Sequence, residues 1–185
     1  MRRRKSTSHP ITAKECTIRL LAISHEAEQC ARLMATSEPW RTLGRDYETS
    51  LRIVTDPVKE AYVAYLGAET EAVAGFLILN MTGAFVGYIQ TVCVAPEWRG
   101  RGLGALLIRF AEERIFRETP NVFMCVSSFN TDAQRLYERL GYQRVGELTD
   151  YIVAGYSEVL LRKTIGPLTG FRPAATDKKD ERSQS

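Results

Sequence analysis

Three glycines fall within five residues in Arg99-Gly100-Arg101-Gly102-Leu103-Gly104, just after the apolar run Val92-Cys93-Val94-Ala95-Pro96. Glycine lets a backbone approach a ligand with no Cβ in the way and adopts positive φ at little cost. Beyond it Leu103, Leu106, Leu107, Phe110, Ala111 and Ile115 recur at helical spacing. The first N–H groups of a helix lack intrahelical partners and sit at the positive end of its dipole. A glycine turn that opens a helix is therefore an anion site suited to phosphate. A sharp strand-to-helix connection alone needs fewer glycines, and Arg99 and Arg101 add positive charge here.

The kind of phosphate ligand can be narrowed. No Gly-Lys-Ser/Thr is present, so the turn is not a Walker A loop. Gly100-x-Gly102-x-x-Ala105 satisfies the looser dinucleotide fingerprint. That motif opens the first unit of a doubly wound sheet, whereas only about 80 residues follow it here. The five residues 95–99 separate strand from glycine, and the next strand ends in Ser127-Ser128 with no acid to hold a ribose. A nicotinamide oxidoreductase is disfavoured.

Positioning the turn requires a scaffold, and the pattern supplies one. Strands are expected at 17–22, 61–66, 72–81, 85–94, 121–127, 145–148 and 157–163. Helices are expected after Ser24 as N-cap, over 47–55 before Pro57, over the 103–115 stripe, and over Ala133, Leu136, Tyr137 and Leu140 up to Gly141. The order β-α-α-β-β-β-α-β-α-β-β predicts an α/β (α+β) fold. Its central sheet is mixed and mostly antiparallel, with about seven strands and helices packed on it; parallel pairing enters at the crossover helix.

With 185 residues, 44% hydrophobic and 25% charged, the chain has the composition of one globular domain. No stretch reaches the ~18 apolar residues a membrane helix needs, which excludes a membrane-spanning helical protein. Cys16, Cys30, Cys93 and Cys125 are scattered without a C-x-x-C pair. They read as free thiols of a reducing, cytoplasmic compartment, with no metal-ligand spacing. The net charge is +3, but Arg2, Arg3, Arg4 and Lys5 carry four positive charges, leaving −1 for the rest. The body is nearly neutral, which argues against a nucleic-acid or membrane partner. Residues 1–15 are expected to form a flexible basic arm, 16–165 the domain, and 166–185 a loose tail.

Arg99-x-x-Gly102-x-Gly104 after Val92-Cys93-Val94-Ala95-Pro96 resembles the coenzyme A pyrophosphate motif of the GNAT superfamily of N-acyltransferases. About 30 residues on, Asn130-Thr131-Asp132-Ala133-Gln134-Arg135-Leu136-Tyr137-Glu138-Arg139-Leu140-Gly141-Tyr142 resembles that family's late helix. Two ordered motifs in a matching element order are more specific than either alone, and the resemblance covers roughly 16–163. It implies a sheet with helices on both faces and a splayed middle strand. It also implies an acetyl-CoA-dependent N-acetyltransferase with no metal. The strand Val92-Cys93-Val94 would bind the pantetheine arm through its exposed backbone groups, those of Val92 and Val94. The N–H of Val92 would face the thioester oxygen in an oxyanion-hole role. The amides of Arg99, Gly100, Arg101, Gly102, Leu103 and Gly104 would take the pyrophosphate, and Asn130 the pantetheine. Tyr137, which spacing alone puts on an apolar helix face, would meet the coenzyme A sulfur as the acid toward the leaving thiolate. Reference pKa values of about 10 and 8.5 make full proton transfer uphill by about 2 kcal/mol, so a donated hydrogen bond is expected.

The general base stays open at this level. Some members of the family place a Glu early on the splayed strand, where this chain has Tyr88 beside Gln90. Glu38, Asp46, Glu48, Asp150 and Glu158 lie in segments that could border an acceptor site, and a water chain is an alternative. That site is expected between the 36–48 loop, with Glu38, Trp40, Arg41 and Tyr47, and the last hairpin, with Asp150, Tyr151 and Tyr156. Two other readings compete with catalysis. One is an acyl-CoA-binding sensor on the same fold, motivated by the missing base. The other is a nucleic-acid module that uses the basic arm. A homodimer through the terminal strands is compatible with this architecture.

Overall fold

The computed structural model describes residues 9–67 and 72–173; the expected basic cluster at 2–5 and the tail from 174 lie outside them. The strands are β1 (Cys16–Leu20), β2 (Glu60–Leu66), β3 (Gly75–Asn80), β4 (Tyr88–Val94), β5 (Asn121–Ser127), β6 (Gln143–Leu148) and β7 (Glu158–Thr164). They form one sheet in the order β1-β2-β3-β4-β5-β7-β6. Every neighbouring pair is antiparallel except β4 and β5. The helices are α1 (Ser24–Ala35), α2 (Tyr47–Val54), α3 (Leu103–Ile115) and α4 (Thr131–Arg139).

Alternation along the strands divides the core between two layers. Val63, Phe76, Ile78 and Cys93 pack with Ala27, Cys30 and Met34 of α1 and Val54 of α2. Tyr62, Ala64, Leu77 and Leu79 pack with Leu103, Leu107, Ile108, Ala111 and Ile115 of α3, and α4 adds Ala133, Leu136 and Tyr137 to that side. Each fully buried aliphatic side chain contributes roughly 1.5–3 kcal/mol, so the α3 stripe fixes the helix firmly behind the glycine turn. Arg114 locks its far end, donating from Nε to Glu60 Oε2 at 3.0 Å.

Several boundaries differ from the sequence pattern for physical reasons. The strands expected at 72–81 and 85–94 shorten to Gly75–Asn80 and Tyr88–Val94, because Gly83 and Gly87 both take positive φ. Ser24 is the first helical residue of α1, not its N-cap. The free N–H groups of Ala22 and Ile23 are instead taken by the buried carboxylate of Glu26, at 2.9 and 3.3 Å. The segment expected to be a mobile arm includes residues 9–15, and these are docked. Ile11 is buried in the α3-side core, and its N–H donates to the carbonyl of Arg101 at 2.8 Å.

Pairing between β4 and β5 stops after Tyr88↔Phe123 and Ile89↔Met124. The cause is local. Ile78 pairs with Thr91 but Leu79 with Ile89, so Gln90 is an extra residue in β4. A ladder needs backbone groups facing the neighbour at every second residue. The bulge puts β4 out of step with β5, which keeps a continuous register with β7 from Asn121↔Thr164 to Ser127↔Glu158. The strands separate beyond Ile89.

Candidate active site

The separation leaves backbone groups without a strand partner. Cys93 pairs with Phe76, and the N–H of Ala95 donates to Ala74 at 2.9 Å. The peptide groups of Thr91, Cys93 and Ala95 therefore point toward β3, and those of Val92 and Val94 toward the gap. Cys93 thus departs from the expected set. Its backbone serves the β3 ladder, and its side chain is buried against α1. The carbonyl of Val94 is also engaged, accepting from Nε of Arg99 at 3.0 Å.

Beside the gap, a short 3-10 turn (Pro96–Trp98) leads into the glycine turn. From Gly100 to Ala105 no backbone N–H finds a partner among the described residues, and the first helical bond is Leu106 N–H to the carbonyl of Gly102 at 3.1 Å. Gly100 and Gly102 have φ of +70° and +91°, and a Cβ added at either would meet nothing within 4 Å. The positive φ already favours glycine at both positions, and the open space above them leaves room for a ligand to rest on the backbone. Gly104 differs, since a Cβ there would lie 3.6 Å from Leu136 and 3.8 Å from Val94. These are ordinary contact distances, so a Cβ would fit at Gly104 between α4 and β4.

The arginines of the turn are occupied structurally. Arg99 also donates to Ser37 Oγ at 3.0 Å, tying the turn to the end of α1. Arg101 lies over the Trp98 ring at 4.7 Å and donates to the carbonyl of His9 at 3.3 Å. The side chain of Leu103 is buried in the core. Asn130 caps α4, its Oδ1 accepting from Ala133 N–H at 3.3 Å. Tyr137 packs edge-to-face on Tyr142 with ring centroids 6.1 Å apart. Its hydroxyl has no hydrogen-bond partner among the described residues, and burial pushes its pKa up to about 12.

Gap, glycine turn and Tyr137 all border one cavity of ≈ 1220 Å³, which continues to the other face of the sheet. There it is lined by Glu38, Trp40 and Arg45 from the 36–46 loop, Tyr88 from β4, Tyr151 from the last hairpin, and Glu158 from β7. Of the five carboxylates singled out from sequence, only Glu38 and Glu158 line it. Asp46 caps α2, accepting from Thr49 N–H at 2.8 Å. Asp150 holds the last hairpin, accepting from Gly155 N–H at 2.6 Å. Of the expected acceptor-side groups, Arg41 and Tyr47 do not line the cavity, and Tyr156 packs on Phe129 with centroids 4.9 Å apart.

Glu38 is engaged by its own loop, accepting from Thr42 N–H at 3.2 Å and Thr42 Oγ1 at 2.8 Å. Glu158 is 4% exposed and sits on β7 opposite Ser127, whose Oγ donates to Glu158 Oε1 at 2.6 Å. Burial raises its pKa, against the opposing pull of Ser127 and the positive charge of Arg45. Arg45 was not among the residues that sequence singled out; a lone arginine in a loop carries no pattern. Burial likewise keeps the Tyr88 hydroxyl neutral by raising its pKa well above the ordinary range. Among the described residues, no group of three or more His, Cys, Asp or Glu could hold a metal ion, and no helix is long and apolar enough to cross a membrane.

Known proteins share this architecture. The sequence profile described as "Acetyltransferase (GNAT) family" matches residues 21–142. The chain is 30% identical over 146 residues to the N-alpha-acetyltransferase RimI of Mycobacterium tuberculosis, covering 76% of this chain and 88% of that one. An uncharacterised protein of Mycobacterium leprae is 27% identical over 169 residues, and the match spans 86% of this chain but only 44% of that longer relative. The fold matches a spermidine N-acetyltransferase of Vibrio cholerae, solved in complex with CoA and spermine. The TM-score is 0.62 at 18% identity, over 82% of this chain and 96% of that one. The profile spans well over half of the sequence, so the chain belongs to the acetyltransferase (GNAT) family.

Proposed function

We propose that this protein moves the acetyl group of acetyl-CoA to a primary amine of a small molecule or peptide, by direct attack of the amine on the thioester. The observation that carries this reading is the wedge between β4 and β5. It opens at the Gln90 bulge and is flanked by partnerless N–H groups from Gly100 to Ala105 and by the free hydroxyl of Tyr137. In this reading the glycine turn holds the pyrophosphate by backbone hydrogen bonds and helix dipole. The pantetheine arm lies along Val92 and Val94 as a partial extra strand, near Asn130. The Mycobacterium tuberculosis relative and the Vibrio cholerae neighbour are N-acetyltransferases by name, which supports the acceptor class.

The chain's own residues then supply three things. The N–H of Val92 faces the oxygen on which charge develops as the amine attacks, a stabilisation that costs no reorganisation. Glu158, a carboxylate with a raised pKa on the acceptor side, takes the proton that the ammonium must lose. As the C–S bond breaks, the Tyr137 hydroxyl donates a hydrogen bond to the departing thiolate. Its raised pKa makes full transfer less favourable than reference values imply. The products are the amide and coenzyme A. With Glu158 in this place, the acyl-CoA sensor reading loses its motive. The four cysteines are free thiols, which supports a reducing compartment such as the cytoplasm.

The test is to mix the protein with acetyl-CoA and a panel of primary amines while following free thiol. Thiol release that depends on an amine, with a matching acetylated product, is expected. Tight coenzyme A binding with no turnover on any amine would overturn the reading in favour of a sensor.

A further inference from the structure

The acceptor half of the cavity carries a pair of opposite charges that do not neutralise each other by contact. Arg45 lines the wall, and its guanidinium makes no hydrogen bond or ion pair among the described residues. It sits just before α2, its backbone N–H held by the carbonyl of Trp40 at 3.0 Å. Glu158 lines the same space, with one oxygen engaged by Ser127. The other charges nearby are engaged. Lys59 pairs with Asp56 at 2.9 Å, and Glu38 is held by Thr42. A half-buried guanidinium with empty donors is costly unless an anion meets it. Burial dominates its environment, outweighing the attraction of Glu158.

From this pairing, and resting on the acetyl-transfer reading above, we infer that the acceptor is a small zwitterionic amine, an α-amino acid or a close analogue, whose carboxylate docks on Arg45 while its amino group meets Glu158. The guanidinium fork matches a carboxylate in bidentate geometry. A polyamine or a cationic sugar would place positive charge against Arg45. A peptide N-terminus with a neutral second residue would leave the guanidinium unmatched. Tyr88 and Tyr151, bordering the same space, offer ring faces to the body of the substrate.

The experiment compares L-α-amino acids with their C-terminal amides, with spermidine and with a neutral tripeptide, by kcat/KM for thiol release. Free amino acids should exceed their amides at least tenfold. In Arg45→Gln that ratio should collapse toward one through a raised KM for the free acid, and Arg45→Lys should restore it in part. Because the readout is a ratio of two substrates on one protein, loss of folded material cannot mimic it. Amides or spermidine turned over as well as the free acids would overturn the zwitterion while leaving acetyl transfer intact. Coenzyme A binding by calorimetry with every amine inert would instead overturn the acetyl-transfer reading beneath it.

Discussion

Ser127 and Glu158 face each other across β5 and β7, and the Ser127 hydroxyl donates a 2.6 Å hydrogen bond to the buried carboxylate of Glu158. The serine stabilises the charged form while burial disfavours it, and burial wins. The carboxyl is left titrating above its ordinary range, closer to the pH at which a base is most effective.

Glu158→Gln should therefore lower kcat by about 10²–10⁴-fold, the usual contribution of a general base. A proton acceptor must be ionised, so wild-type kcat/KM falls as pH drops through the raised Glu158 pKa, and this acid limb should vanish in the variant. Ser127→Ala removes the hydrogen bond that lowers that pKa, so the limb should move to higher pH. An unchanged pH–rate profile in both variants would exclude Glu158 as the base.

Tyr137→Phe removes one hydroxyl that has no partner among the described residues and keeps the ring against Tyr142. Stability should hardly change, while kcat drops by roughly 10²–10⁴-fold with acetyl-CoA Kd nearly constant. Loss of kcat and kcat/KM together marks an interaction made mainly in the transition state. A purely packing role predicts normal turnover, so single-turnover rates and Tm on the same variant discriminate.

Gly102→Val places a side chain where the protein itself offers open space. It also strains a backbone at φ +91°, which costs of order 1–3 kcal/mol. Coenzyme A affinity should fall at least tenfold, about 1.4 kcal/mol, with the fold retained. Arg99→Ala should weaken binding less, acting through the lost ties to Val94 and Ser37 while the turn's amides remain. Calorimetry that returns wild-type affinity for Gly102→Val would contradict phosphate binding at this turn.

Acid stability should hinge on Glu26. Burial alone would raise its pKa, but Arg19, the backbone of Ala22 and Ile23, and the Tyr65 hydroxyl at 2.7 Å outweigh burial and bring it down from 4.5 to about 2. A depressed carboxyl stabilises the fold above its unfolded pKa and loses that contribution as pH falls through the folded one. About 3 kcal/mol should thus be lost between pH 4.5 and about 2. Glu26→Gln should lower Tm at neutral pH by roughly 6–12 °C and flatten the Tm–pH curve in that window.

Legibility followed the range of the interactions. The glycine turn, the α3 stripe and the capped α4 were readable because residues a few positions apart determine them, and the element order carried the sheet class. The separation of β4 from β5 was legible only through the family resemblance, because the bulge at Gln90 is a mismatch between two strands and leaves no mark on either alone. Glu158 was one of five carboxylates singled out from sequence, but its meeting with Arg45, more than a hundred residues away, emerges only when the fold brings both to one cavity. Ser24 looked like a cap because its type favours that role. Glu26 took the role through buried contacts with Arg19 and Tyr65, which lie outside the helix. Ile11 reads as part of a polar arm until its own burial against the α3 layer is seen.

The bulge makes β4 sensitive to length where it is tolerant of chemistry. Val92 and Val94 serve the wedge through peptide groups common to every residue except proline, so exchanges among Val, Ile and Thr there preserve what the strand offers. Removing Gln90 would bring β4 back into step with β5, and the two strands could then zip shut along their full extent. The chain would gain ladder bonds and lose the space between them. On the proposed acetyl-transfer reading, a single codon deletion at Gln90 should therefore cost coenzyme A binding even where it adds ladder bonds.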